Sequence, residues 1–139
     1  MTVDGETVGS IGPGLVVLVG VGTTDSSQDV QALCGKLAFM RIFRDVDGKM
    51  NQSIIDMTGE ILVVSQFTLL ADVRKGRRPS FTAAATPEVA ESLIAELVDQ
   101  LRGQSIPVRT GTFGAGMQVL LTNDGPVTIV IDTDRGKII

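Results

Sequence analysis

Apolar runs rich in Val, Ile and Leu recur along the chain, bounded by Gly, Pro, Asp or Asn, while two longer stretches space their apolar positions as a helix does. Residues 1–8 read as a hairpin, with Asp4-Gly5 turning between short alternating strands. Gly12-Pro13-Gly14 is a second turn, and residues 15–21 are a continuous, Val-rich run that predicts a buried strand. Thr24 or Asp25 can cap a helix reaching about Met40, with Val30, Leu33, Leu37 and Met40 on one face. Residues 41–43 predict a short strand and residues 45–49 a turn with Asp47-Gly48 at its tip. Residues 61–64 predict another buried strand, continued by residues 65–71. Residues 74–80 are a loop, after which Thr86-Pro87 opens a second helix with Pro at its first position. Val89, Leu93, Leu97 and Leu101, joined by Ala90, Ile94 and Val98, give that helix a broad apolar face, and Gly103 can end it. Residues 108–110, 117–122 and 127–132 predict the last strands, and residues 134–137 a solvated tail. The sum is an α+β fold: mostly antiparallel sheet or barrel-like β-structure with two amphipathic helices, not alternating βαβ units.

The length of 139 residues suits one domain, residues 1–139, and 43% hydrophobic residues suffice for a core. With no Trp and no Tyr, aliphatic residues must fill that core. A formal net charge of -4 argues against a generally basic nucleic-acid binder but leaves room for a local patch. Cys34 is the single cysteine, so no intrachain disulfide can form; it reads as a buried structural thiol in a reducing cytosol. The absence of histidine excludes Ser-His-Asp and Cys-His catalysis and the common His-rich zinc sites, and no metal or cofactor is expected. No apolar run approaches the roughly 20 residues of a membrane span, and the N-terminus lacks the pattern of a signal peptide. A cytoplasmic protein with no membrane partner is the expectation.

Four groups of residues could carry chemistry. Ser65, Gln66, Phe67 and Thr68 place hydroxyl and amide groups at the end of an apolar strand, where binding and catalytic groups often lie. In a continued strand Phe67 would point to the opposite face; an ordinary strand edge explains these residues equally well. Gly125-Pro126 lies in a turn that can hold a cis peptide, although a hairpin turn is the commoner reading. Arg74, Lys75, Arg77 and Arg78 form the one dense basic cluster, able to hold phosphates or simply to stand in solvent, with Asp72 partly offsetting it. Phe113 and Met117 could stack on a flat base or pack in the core.

Three stretches then converge: residues 63–69 with Ala71-Asp72 and Arg74-Lys75-Gly76-Arg77-Arg78-Pro79-Ser80-Phe81; Thr110-Gly111-Thr112-Phe113-Gly114-Ala115; and Asn123-Asp124-Gly125-Pro126-Val127-Thr128. In order and spacing they resemble the D-aminoacyl-tRNA deacylase family, and Arg41-Ile42-Phe43-Arg44-Asp45 with Gly48-Lys49-Met50-Asn51 fits as well. The resemblance covers nearly the whole chain. It implies a homodimeric hydrolase that cleaves the ester joining a D-amino acid, or glycine, to the terminal adenosine of tRNA, with its site at the subunit interface. It implies that Ser65, Gln66, Phe67 and Thr68 are catalytic, that Gly125 and Pro126, joined by a cis peptide, meet them from the partner subunit, and that the partner is the aminoacyl-tRNA acceptor end rather than DNA. Gly125 and Pro126 would seize the α-amino group and leave no room for an L side chain. Phe113 and Met117 would bind substrate, and Arg74, Lys75, Arg77 and Arg78 the tRNA phosphates. With no histidine available, backbone N–H groups near Phe67 and Thr68 are expected to polarise the ester carbonyl, aided by the RNA's own 2′-OH; Thr68 as nucleophile is the lesser option.

Two departures stand out. Family members usually begin with an extra strand and turn before the position of Met1, and commonly have Val there, which gives the expectation of a GUG start codon and a longer natural product. Leu70 stands where the family often has Tyr, a change of packing. The alternatives to the enzyme are a catalytically impaired tRNA-binding dimer, its site broken by that truncation, and a structural dimer in which both motifs are merely turns.

Overall fold

Asp4 and Gly5 both adopt positive φ, and their turn folds Thr2–Val3 (β1) back on Glu6–Thr7 (β2) as an antiparallel pair. The computed structural model describes residues 1–139. It continues with Gly14–Val19 (β3), a helix over Ser27–Phe39 (α1), the antiparallel pair Phe43–Arg44 (β4) and Met50–Gln52 (β5), and the strand Glu60–Ser65 (β6). A 3-10 turn over Phe67–Leu70 follows, then a helix over Pro87–Gly103 (α2), Val108–Thr110 (β7), Thr133–Asp134 (β8) and Lys137–Ile138 (β9). No helix is long and apolar enough to cross a membrane.

The two helices and the small antiparallel pairs are those of an α+β fold. The central sheet, in the order β3-β6-β7, differs from the antiparallel expectation because both of its pairings are parallel. The reason lies in the connections. A helix separates β3 from β6 and another separates β6 from β7, and such crossovers return the chain in the same direction. Val19 aligns with Ser65, so β3 and β6 end together, while β7 ends at Thr110 opposite Val63, two residues earlier. At Gly14 β3 lies so close to the Glu60 backbone that a Cβ would collide with it.

β6 is buried on both faces, which is why it reads as an unbroken apolar run. Ile61 and Val63 face the helices and share one core with Val30, Cys34 and Leu37 of α1 and Ile94, Leu97, Val98 and Leu101 of α2. Leu62 and Val64 face the other way, against Met1, Ile11, Val16, Met117 and Val119. Burying one such aliphatic side chain contributes about 1.5–3 kcal/mol relative to leaving it exposed.

The helix ends depart slightly from expectation. Ser26, not Thr24 or Asp25, caps α1: its hydroxyl accepts from the Gln28 N–H at 3.3 Å while the Asp29 carboxylate accepts from the Ser26 N–H at 3.0 Å, a reciprocal box. Asp25 is otherwise engaged, accepting from the Gly22 N–H at 2.7 Å. Pro87 opens α2 as expected, and Gln104 rather than Gly103 caps its end.

Four expected segments take another form. Residues 65–71 do not continue as a strand, since the Gln66 N–H makes the last bond to β3, at the Val19 carbonyl (2.8 Å), and the chain then winds into the 3-10 turn. Residues 117–122 and 127–132 form no strands; a single bridge joins Thr2 to Gln118, and no neighbour in this chain supplies a ladder for the rest. Residues 134–137 are not a tail. Arg135 and Gly136 both take positive φ and turn β8 onto β9. The Gly136 N–H then donates to the buried Asp29 carboxylate at 3.0 Å, which fastens the C-terminal hairpin to the start of α1.

Candidate active site

β6 delivers Ser65 to the edge of a small pocket of about 40 Å³, whose lining includes Val63, Ile94, Thr110, Phe113 and Met117. Three residues singled out from the sequence, Ser65, Phe113 and Met117, therefore meet there. No lining side chain is ionisable, so no carboxylate or amine in the pocket can serve as a base.

Directly after Ser65 the short helical turn exposes Phe67 and Thr68. The N–H groups of Phe67 and Thr68 have no acceptor within the chain, because they precede the first bonds of the turn, Leu69 N–H to the Gln66 carbonyl and Ala71 N–H to the Thr68 carbonyl. Gln66, Phe67 and Thr68 are not among the residues lining the pocket, but they follow Ser65, which is, and two adjacent free donors at that point are what a developing oxyanion requires. The Gln66 carboxamide donates to the Thr68 hydroxyl and engages one of that oxygen's two lone pairs. The Phe67 ring does not alternate across a strand as expected; in the turn it is 57% exposed, with one edge against Phe81.

The structure does not bring Gly125 and Pro126 to this pocket. They stand exposed in a loop whose Gly125-Pro126 peptide is cis. Asn123 braces that loop: its side-chain oxygen accepts from the Val127 N–H at 2.9 Å and its amide donates to the Thr128 hydroxyl at 3.0 Å. These bracing roles were not read from the sequence, although Asn ahead of a turn is the residue type that makes them.

The basic cluster also divides. Reciprocal backbone bonds of 2.7 and 2.9 Å between Asp72 and Ser80 close the loop at its base. Arg74 folds back on Asp72, with contacts of 2.9 Å from Nε and 2.8 Å from Nη2, and its guanidinium holds the Asp72 carboxyl below the usual range. Lys75, Arg77 and Arg78 are exposed and make no ion pair. Elsewhere no group of three or more His, Cys, Asp or Glu side chains converges as a metal-binding set.

The family model described as D-Tyr-tRNA(Tyr) deacylase matches residues 1–132. The chain belongs to this family. Among relatives in the D-Tyr-tRNA deacylase family, the D-aminoacyl-tRNA deacylase of Chloroflexus aurantiacus is 59% identical over 133 residues, covering 96% of this chain and 83% of that protein. The D-aminoacyl-tRNA deacylase of Desulfitobacterium hafniense is 53% identical over 135 residues, covering 97% and 91%. Of solved structures, c-Myc DNA Unwinding Element Binding Protein superposes with a TM-score of 0.89 at 40% identity, covering 96% of this chain and 91% of that one. A probable eukaryotic D-amino acid tRNA deacylase shares the fold, with a TM-score of 0.64 at 20% identity over 76% of this chain and 77% of that one.

Proposed function

We propose that this chain hydrolyses the ester of D-aminoacyl-tRNA and of mischarged glycyl-tRNA in the cytoplasm, releasing tRNA and the free amino acid, and rejects L-aminoacyl-tRNA. Membership of the deacylase family supports the reaction class, and the observation that carries the mechanism is the pair of free Phe67 and Thr68 amides that follow Ser65, itself at a pocket without ionisable groups. Water adds to the ester carbonyl carbon, the amides stabilise the oxyanion, the carbon–oxygen bond to the ribose breaks, and the leaving oxygen takes up a proton. The substrate's 2′-OH assists the water, since no side chain here can. An aminoacyl ester is already activated, so orientation and two donors supply much of what is needed.

Phe113 and Met117 suit the flat face of the terminal adenine. Lys75, Arg77 and Arg78 suit phosphates of the acceptor end; Arg74, neutralised by Asp72, closes the loop instead. Chiral selection falls to Gly125 and Pro126 of a second copy, reaching the pocket across a homodimer interface. Two observations support that arrangement: the loop is exposed and away from its own pocket, and Leu120, Leu121, Ile129 and Val130 around it are exposed, Val130 to 83%. A backbone wall distinguishes hydrogen from side chain at one stereocentre without reading which side chain it is. DNA and membranes are not partners in this reading.

The test is deacylation of D-Tyr-tRNA, L-Tyr-tRNA and Gly-tRNA. Loss of the D and glycyl esters with the L ester intact is the expected result; hydrolysis of the L ester at a similar rate refutes the selection, and salt-dependent tRNA binding without hydrolysis would make the chain a binding module.

A further inference from the structure

The turn that presents the Phe67 and Thr68 amides is too short to fix its own direction, and its bonds at Leu69 and Ala71 are both 3.2 Å long. Its direction comes from two contacts outside it. Beneath lies Gly20, just past the end of β3, where a Cβ would meet the Leu70 side chain at 2.5 Å, the Gln66 carbonyl oxygen at 3.1 Å and Leu69 Cβ at 3.2 Å. Beside it lies Phe81, half-buried, its ring centroid 5.1 Å from that of Phe67 and its plane inclined by 70°. This edge-to-face geometry fixes the angle between two rings as well as their distance. Phe81 directly follows Ser80, whose backbone is paired both ways with Asp72 at the base of the basic loop.

We infer that Phe81 is a positioning residue for the deacylation proposed above, aiming the Phe67 and Thr68 amides through the Phe67 ring, with Gly20 as the floor that lets the turn lie low enough. Neither residue touches a reacting atom. Oxyanion donors act only when placed to a fraction of an ångström, so a turn that rocks loses rate while the substrate still binds. The same contact joins the phosphate-facing loop to the amides, so that seating the acceptor end and aiming the donors become one event.

Phe81→Leu keeps apolar bulk and removes the ring; Phe81→Tyr keeps it. On D-Tyr-tRNA, Phe81→Leu is expected to lower kcat about tenfold with KM nearly unchanged, and Phe81→Tyr to restore it. Amide hydrogen exchange gives a readout that needs no catalysis: the Leu69 and Ala71 amides should exchange about tenfold faster in Phe81→Leu while α2 amides keep the parent rate. Unchanged exchange at Leu69 and Ala71, or acceleration shared equally by α2, overturns the inference. Inactivity of the parent protein overturns the proposed function and leaves exchange to decide this one. Should Phe81→Leu not fold, Gly20→Ala, which lifts the turn from below, must produce the same local acceleration, and the inference fails if it does not.

Discussion

Thr68 shows how one hydroxyl can be judged by its neighbours. It accepts a hydrogen bond from the Gln66 carboxamide, and no ionisable side chain lines the pocket at Ser65, so in the proposed reaction its amide rather than its oxygen is the working group. Thr68→Ala should therefore keep the single-turnover rate within about threefold of the parent, less than 1 kcal/mol of barrier. A loss on the order of a thousandfold or more in rapid-quench measurements would make the hydroxyl a nucleophile. The sequence carries the polar cluster after the strand, and its lack of histidine already favours the Phe67 and Thr68 N–H groups over the Thr68 hydroxyl; what it does not carry is the 3-10 turn, because Phe67, Leu69 and Leu70 read as a continuation of the strand. Where β3 ends at Val19, the chain loses its ladder partner and winds over Gly20 instead. Arg74 belongs to the basic cluster in the sequence, where Asp72, two positions away, already reads as partly offsetting it, and the structure pairs the two.

Among the elements, α1 and the β8–β9 hairpin depend on one side chain. Burial raises the Asp29 pKa, but N–H donors from Gly136 and Ser26 and the Thr133 hydroxyl outweigh it and hold the carboxyl below its ordinary value. Asp29→Ala strands these donors and should cost about 2 kcal/mol by urea unfolding at neutral pH. Because the folded pKa is depressed, this stability is fully present above the ordinary value of 3.8 and is lost as pH falls through the folded value. The gap between parent and Asp29→Ala should thus narrow below about pH 4; a constant gap would contradict the charged clamp. Local signals made much of this level legible: Asp4-Gly5 gave the first hairpin and Thr86-Pro87 the start of α2. The parallel order of β3, β6 and β7 was not legible, since it depends on pairing across helices. The terminal hairpin escaped notice because Arg135, a poor candidate for positive φ, occupies the turn beside Gly136.

At the scale of the whole molecule, a basic loop and an exposed apolar segment stand out. The chain carries a net charge of -4, yet three of its cations without an ion pair, Lys75, Arg77 and Arg78, share one loop. Replacing any of the three by Ala should flatten the slope of log Kd for tRNA against log salt by about 0.7–0.9. Arg74→Ala should flatten it much less, and equal effects from all four in filter-binding titrations would show that Asp72 does not neutralise Arg74. Val130→Glu should give a monomer by analytical ultracentrifugation and lose hydrolysis together with dimerisation; a fully active monomer would refute a shared pocket. Cys34 has a consequence of another kind. It is the single thiol, 4% exposed on the face of α1 that packs into the core shared with α2, and burial pushes its pKa up. A thiol-directed dye therefore labels this protein only when the two helices part, and the labelling rate counts those openings one by one in otherwise native protein.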